Sequence, residues 1–111
     1  SIQLLRTDPV VLGQNVTLKC QSDEQIMGWY KFDQFSNQFI QVNSGGRIEI
    51  VDSDPASPPP RHSRLIISFL THDDLTIYRC YDTFNSFAEL KLEEKCKYLF
   101  EKIVFFSKIF I

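Results

Sequence analysis

The sequence predicts an all-β domain in which short, mostly antiparallel strands form a sandwich or a barrel. Two observations support this prediction up to about residue 93. Short runs rich in alternating apolar, β-branched or aromatic residues recur along the chain, and clusters of turn-forming residues separate them. Short strands at this spacing, with no helix between them, are typical of two packed sheets or of one closed sheet.

Seven runs are predicted to be strands. The clearest alternation is in NVTLKC, where Val16, Leu18 and Cys20 point one way and Thr17 and Lys19 the other. The runs, in chain order, are NVTLKC (15–20), IMGWYKF (26–32), QFIQVN (38–43), RIEIV (47–51), RLIISFL (64–70), LTIYRCY (75–81) and AELKLE (88–93). The intervening turn-formers are DPVVLGQ, QSDEQ, NSGG, DSDPASPPP, THDD and DTFNS. The proline-rich stretch is interpreted as a surface loop rather than a linker, because strand signals resume on both sides.

Composition limits the size and the chemistry of the domain. A chain of 111 residues that is 43% hydrophobic can bury one core, and its ten phenylalanines supply large side chains for it. The net charge of -2 comes without a basic stripe, so nothing indicates binding to nucleic acid. Neither a CxxC motif nor a Cys/His cluster is present, so we expect no metal site and no cofactor.

Three cysteines indicate an extracellular location. Cys20 ends one alternating strand and Cys80 lies within another, so they can bridge two facing sheets if both point inward. Trp29, on the strand after Cys20, is then placed to pack on the disulfide. Cys96 is left over, either as a free thiol or as a partner for intermolecular pairing. One oxidised pair with one spare cysteine fits an extracellular chain better than a cytosolic one.

The stretch DDLTIYRC predicts a particular arrangement before the second of these cysteines. Tyr78 lies two residues before Cys80 and therefore faces the same side of its strand. Its ring can be buried while its hydroxyl bonds to the backbone upstream, which is the tyrosine-corner geometry. Asp74 lies in the turn that leads into this strand, where we expect it to accept a charged partner.

These residues together resemble the immunoglobulin superfamily, and the variable type most closely. The resemblance covers roughly residues 3–93 and is carried by residues spread along the chain: Gly13, Val16, Leu18, Cys20, Trp29, Leu65, Ile67, Leu70, Asp74, Thr76, Tyr78 and Cys80. It implies an immunoglobulin-like two-sheet antiparallel sandwich with an inter-sheet disulfide and with Leu65, Ile67 and Leu70 in the core. It also implies a salt bridge between Arg47 and Asp74 across the lower end of the domain.

Two features depart from the variable-type pattern. The stretch after Cys80, YDTFNSFAELKLEEK, lacks the F-G-x-G bulge that joining segments give to antigen-receptor variable domains. This argues against a rearranged receptor chain. The loop between Cys20 and Trp29 is also short, which leaves little room for a large binding loop there.

Outward-pointing aromatic residues form the candidate binding face. Because Trp29 and Cys80 point inward, their strand neighbours point outward. The predicted face contains Tyr30, Phe32, Phe39, Arg79, Tyr81 and Phe84, and Phe87 is placed with Phe84 in the last loop. Aromatic residues and arginine are enriched at the centres of protein interfaces. The alternative is that several of these side chains pack under loops or under the C-terminal segment.

The expected function is recognition rather than catalysis. The side chains of HDD at 72–74 are neighbours along the chain, so they diverge and are interpreted as a turn. We expect no enzymatic activity and a protein partner, with a second copy of the chain as one candidate. The leading hypothesis is a ligand-binding or adhesive ectodomain of a cell-surface immune or adhesion receptor. The alternatives are a secreted effector or decoy that binds a foreign or host protein, and a structural spacer.

Two further features concern modification and anchoring. The triplet NVT makes Asn15 a candidate glycosylation site. Residues 1–94 are predicted to form the domain, and residues 95–111 an apolar tail of unknown role. The tail is too short and too charged to span a bilayer, which takes roughly 20 apolar residues. The tail could pack on the domain, lie at a membrane surface or mediate association, and a membrane anchor could be missing; the sequence leaves these alternatives open. The chain is therefore expected outside the cell, either at the cell surface or secreted.

Overall fold

The computed structural model describes residues 1–94, which form eight β-strands and one 3₁₀ turn. The strands are β1 (Ile2–Arg6), β2 (Val16–Ser22), β3 (Ile26–Asp33), β4 (Gln38–Val42), β5 (Ile48–Asp52), β6 (Arg61–Ile67), β7 (Ile77–Asp82) and β8 (Phe87–Lys91), and the 3₁₀ turn is His72–Asp74. Within this part of the chain, no helix is long and apolar enough to cross a membrane. Cys96 and the apolar tail lie outside the described residues.

The strands form two antiparallel sheets of four strands each. One sheet has the order β1-β2-β6-β5 and the other has the order β4-β3-β7-β8. Cys20 in β2 lies opposite Leu4 and Ser63, and Trp29 in β3 lies opposite Val42 and Cys80. Since residues opposite each other point to the same face, this register directs both cysteines and the tryptophan between the two sheets.

The core is centred on the predicted disulfide. Cys20 and Cys80 are bonded, and both are fully buried together with Trp29. The indole Nε1 of Trp29 donates a hydrogen bond to Ser63 Oγ at 2.7 Å, which satisfies the only polar atom of that ring. The rest of the buried apolar cluster comprises Leu4, Val10, Val16, Leu18, Val42, Leu65, Ile67, Leu70, Tyr78 and Leu92. Closing a loop of 60 residues stabilises the fold by about 4 kcal/mol in the chain-entropy model.

Arg47, Asp74 and Tyr78 join the two sheets at the lower end of the domain, where β3, β6 and the 3₁₀ turn end. Nη1 of Arg47 lies 2.9 Å from Oδ2 of Asp74, whose side chain is only 4% exposed. The Asp74 carboxylate also accepts hydrogen bonds from the backbone N–H and the hydroxyl of Thr71. The hydroxyl of Tyr78 donates to the backbone carbonyl of Asp74 at 2.7 Å, which is the tyrosine-corner geometry.

Most strand boundaries shift by one or two residues from the sequence prediction, and two differences are larger. β1 is not among the runs identified from the sequence, since Leu5 interrupts the alternation of Ile2–Arg6 with an exposed apolar side chain. β6 begins at Arg61, directly after the prolines, and ends at Ile67. It stops there because Phe69 adopts a left-handed backbone conformation, with φ of 52°, that a strand does not tolerate.

The structure is an immunoglobulin-like two-sheet sandwich with an inter-sheet disulfide, as the sequence predicts. Its strand set lies between the two common forms of this fold, because β4 extends the β3-β7-β8 sheet and no ninth strand occurs in residues 1–94. The chain passes directly from β4 to β5 through residues 43–47. In this connection the Ser44 hydroxyl accepts a hydrogen bond from the backbone N–H of Ile50 at 2.9 Å.

Candidate functional site

The outer face of the β4-β3-β7-β8 sheet carries a continuous group of aromatic side chains around one arginine. Strand register places these side chains together: Phe32 lies opposite Phe39, Tyr30 opposite Arg79, and Tyr81 opposite Phe87. We call this group the aromatic face, and its members are Tyr30, Phe32, Phe39, Arg79, Tyr81 and Phe87. Four different strands contribute to it, so its geometry depends on the sheet rather than on a loop.

Arg79 lies at the centre of the aromatic face, with its guanidinium between two rings. Its Cζ is 3.9 Å from the ring centroid of Phe39 on β4 and 4.2 Å from that of Phe87 on β8. Cation–π contacts at such distances contribute roughly 0.5–1 kcal/mol each at exposed sites. The guanidinium therefore holds together rings from two strands that are not neighbours in the sheet.

The remaining rings extend this centre in both directions along the sheet. Tyr81 contacts Phe87 with a centroid separation of 5.4 Å and Tyr30 edge-on at 5.2 Å. On the other side, Phe32 meets Phe39 edge-on at 5.4 Å. Edge-to-face pairs at these separations are favourable beyond the area they bury, so the rings hold one another in fixed positions. A rigid aromatic surface loses little conformational entropy when a partner covers it.

The charge of Arg79 is compensated within the face. Its Nε donates to Glu89 Oε1 at 2.7 Å, and its Nη1 donates to the hydroxyl of Tyr81 at 3.2 Å. The hydrogen bond to Glu89 is the main reason why the pKa of Arg79 is raised. Further along β8, Lys91 is paired with Glu93 at 3.1 Å. The face is thus close to electrically neutral, which favours an apolar or amphipathic partner over a strongly charged one.

A shallow concavity of about 520 Å³ lies at the upper end of the aromatic face, opposite the Arg47–Asp74 end. Tyr30, Phe39 and Tyr81 line it together with Met27, whose side chain is 61% exposed. The turn between β7 and β8 forms its rim. This turn is fixed because the Asp82 carboxylate accepts backbone hydrogen bonds from Phe84 and Ser86.

Five of the six side chains expected on the binding face come together, and the sixth lies apart. Tyr30, Phe32, Phe39, Arg79 and Tyr81 belong to the aromatic face. Phe84 is 74% exposed in the β7–β8 turn, and the ring contacts of the described residues do not include it. Proximity along the sequence placed it with the face, but side chains of a turn do not follow the alternation of the strand.

Three residues of the surface differ from the sequence prediction of the face. The sequence predicts Phe87 in the last loop, whereas it opens β8 opposite Tyr81. Glu89, which compensates Arg79, and Met27, which borders the concavity, were not identified. Alternation in FAELK puts Phe87 and Glu89 on the same side, and this signal was present in the sequence.

Other candidate residues lie away from the aromatic face. His72, Asp73 and Asp74 form the 3₁₀ turn, where the Asp74 carboxylate is engaged by Arg47. Asn15 is exposed just before β2. Among residues 1–94, no group of three or more His, Cys, Asp or Glu side chains is arranged to hold a metal ion.

Comparison with known proteins gives no assignment. No protein-family model matches this chain. No curated protein matches it at a significant level.

Proposed function

We propose that this chain is an extracellular recognition domain of the variable immunoglobulin type, which binds a protein partner through its aromatic face. Its setting is the ligand-binding or adhesive ectodomain of a cell-surface immune or adhesion receptor. The observation that carries the proposal is the cluster centred on Arg79, in which one guanidinium lies between two rings on a sheet face that no other part of residues 1–94 covers. Arginine and aromatic residues are the types on which interface energy concentrates.

Exposure of these side chains supports a role in binding rather than in the core. Tyr30, Phe32, Phe39 and Tyr81 are only half-buried, and Phe87 is 46% exposed. The core has its own complete set of large side chains on the inner faces of the sheets. An exposed apolar cluster of this kind lowers solubility, so a partner that covers it explains why it is there.

A second copy of the same chain is the first partner to test. A symmetric pair brings the same surface together twice, so a charged face would repel its copy. Here Arg79 is paired with Glu89, and Lys91 with Glu93. Two aromatic faces can therefore pack against each other without uncompensated charge.

The disulfide and the variable-type sequence features support the extracellular assignment. Disulfides persist in oxidising compartments, and the Cys20–Cys80 bond lies at the centre of this fold. The tyrosine corner, the Arg47–Asp74 pair and the additional strand β4 accompany it. The proposal includes no catalytic role and no cofactor.

Charge substitution on the aromatic face tests the proposal. We expect Tyr30→Asp and Tyr81→Asp each to abolish self-association, measured by sedimentation equilibrium, while the Tm falls by only a few degrees. The small effect on Tm is expected because substitutions at half-buried positions on the outer face of a strand cost up to about 1 kcal/mol. Leu5→Asp is the matched control, since Leu5 is 57% exposed on the other sheet and should leave association unchanged.

The outcomes distinguish a recognition domain from a spacer. Unfolding of both tyrosine variants would mean that the rings belong to the core and that the face is wrongly assigned. If the native chain self-associates and both variants do so equally, recognition does not use this face. A chain that stays monomeric, and whose aromatic face is bound by no protein, would be a spacer. A secreted effector or decoy would use the same face as a receptor, and the two differ only in membrane attachment.

A further inference from the structure

Phe69 occupies a conformation that a phenylalanine rarely adopts. Its φ is 52°, in the left-handed region where glycine is favoured, and its side chain is 68% exposed. The backbone on both sides is held by hydrogen bonds: the Phe69 N–H donates to Asn15 Oδ1 at 3.3 Å, and Arg47 Nη1 donates to the Phe69 carbonyl at 3.1 Å. The chain thus keeps a bulky residue in a strained position with its ring outside the core.

Asn15, which holds the N–H of Phe69, is also the acceptor residue of the sequence NVT. It is exposed and directly precedes β2. Its Oδ1 is occupied by the hydrogen bond to Phe69, so the side chain is oriented and Nδ2 is the atom left for another group. The segment is anchored further because Leu70 N–H donates to the Gln14 carbonyl at 2.9 Å.

We propose that Asn15 carries an N-linked glycan and that the exposed ring of Phe69 is the platform on which its first sugar lies. This rests on the extracellular part of the proposed function, since the modification occurs on the secretory route. In the transfer step, Nδ2 forms a bond to the anomeric carbon of an N-acetylglucosamine, and the bond from that carbon to a lipid diphosphate breaks. Nδ2 gives up one proton, and the lipid diphosphate is the leaving group.

The hydrogen bond between Asn15 and Phe69 brings the acceptor side chain next to the residue that carries the exposed ring. Asn15 Oδ1 accepts the hydrogen bond from the backbone N–H of Phe69. In Phe69 a single carbon, Cβ, separates the ring from Cα. A sugar attached to Nδ2 therefore starts next to the residue that carries the ring. The face of a pyranose presents C–H groups, which pack on the electron-rich face of an aromatic ring. Glycine would adopt this φ more easily than phenylalanine does. Packing of the sugar on the ring would explain why a phenylalanine occupies the position.

A secreted chain and three variants test the proposal. Residues 1–111 are expressed behind a signal peptide in cultured eukaryotic cells, and occupancy of Asn15 is measured by mass spectrometry of glycopeptides. Thr17→Val removes the acceptor sequence but keeps Asn15 and its hydrogen bond. Phe69→Gly removes the ring and suits the left-handed backbone, and the third variant combines both changes. An endoglycosidase that leaves one N-acetylglucosamine separates the first sugar from the rest of the glycan.

We expect full or nearly full occupancy of Asn15. The glycosylated chain should melt about 4–8 °C above Thr17→Val, the shift expected for one contact of aromatic-pair size in a domain of this length. The chain trimmed to one N-acetylglucosamine should keep this difference in Tm. In the Phe69→Gly background the shift should disappear. Nuclear Overhauser effects between the Phe69 ring and the first sugar should be observed in the chain trimmed to one N-acetylglucosamine.

The proposal is overturned if Asn15 in the secreted chain is unmodified. It is also overturned if Asn15 is modified but the Tm shift is the same with and without the Phe69 ring. Neither result bears on the aromatic face, because Thr17 and Phe69 lie on and beside the other sheet. Self-association of Thr17→Val, measured in parallel, tests the proposed function separately.

Discussion

Replacing Arg47 by methionine is the sharpest test of how the lower end of the domain is stabilised. Methionine keeps much of the apolar stem and removes the guanidinium. That group makes two hydrogen bonds to the Asp74 carboxylate, at 2.9 and 3.3 Å, and one each to the carbonyls of Ser68 and Phe69, at 2.9 and 3.1 Å. We expect Arg47→Met to destabilise the fold far more than the loss of an ordinary surface ion pair.

The magnitude follows from the unequal burial of the two partners. Removing one member of a fully buried pair costs about 3–5 kcal/mol, whereas a surface pair is worth about 0–1 kcal/mol. The Asp74 side chain is 4% exposed but that of Arg47 is 41% exposed, and Asp74 retains its two hydrogen bonds from Thr71. We therefore expect a loss of about 2–3 kcal/mol, or roughly 10–20 °C in Tm.

The dependence on pH gives a second readout. Burial raises the pKa of Asp74, but the hydrogen bonds from Arg47 and Thr71 outweigh this effect and hold the pKa below its ordinary value of 3.8. A carboxylate with a depressed pKa contributes stability at neutral pH, and this contribution is lost as the pH falls through the folded-state pKa. The native chain should therefore lose stability below about pH 4, and Arg47→Met should flatten this acid limb.

Urea unfolding of Arg47→Met, Asp74→Asn and the double variant, at pH 7 and at pH 3, provides the measurement. The two single losses should not add, because both remove the same interaction. Glu89→Gln is the control, since its pair with Arg79 is more exposed and should cost at most about 1 kcal/mol. If Arg47→Met changes the free energy of unfolding no more than Glu89→Gln does, the pair is not a structural tie between the sheets.

The core of the fold could be predicted because it depends on local alternation. Cys20 and Cys80 lie on strands whose period of two is clear, and Trp29 follows from the same pattern. The outward direction of Tyr30 and Arg79 then follows without any knowledge of the sheet order. These are the features for which one strand carries all the information.

Features that depend on pairing between strands were harder to predict. The pairing of Arg79 with Glu89 requires the β7–β8 register, which the hydrogen bonds of the Asp82 turn set. Ser63 follows the residues PRH, which are typical of a loop. It is nevertheless fully buried, and its hydroxyl accepts the hydrogen bond from the Trp29 indole. This role of Ser63 depends on the packing of β6 across the core from β3, which the local sequence does not contain.

Positions where backbone conformation opposes residue type were not predictable at all. Phe69 lies in a run that reads as a continuous strand, and its aromatic side chain favours that interpretation. The left-handed turn arises from distant partners, since Asn15 binds its N–H and Arg47 its carbonyl. Long-range hydrogen bonds of this kind override local propensity, and no window of the sequence contains them.

Two further substitutions test the tyrosine corner and the centre of the aromatic face. Tyr78→Phe should lower the free energy of unfolding in urea by only about 1 kcal/mol, because the Asp74 carbonyl that loses the hydroxyl still accepts the N–H of Thr76. A loss above roughly 3 kcal/mol would contradict this reasoning. Arg79→Lys keeps the positive charge near Glu89 but removes the planar group that lies between two rings. The two rings then have to be ordered on binding, at roughly 0.5–1.5 kcal/mol each, which should weaken self-association about 5- to 150-fold, measured by sedimentation equilibrium, while the Tm changes by a few degrees. Association as tight as that of the native chain would show that the charge alone is sufficient and that the ordered rings do not contribute to binding.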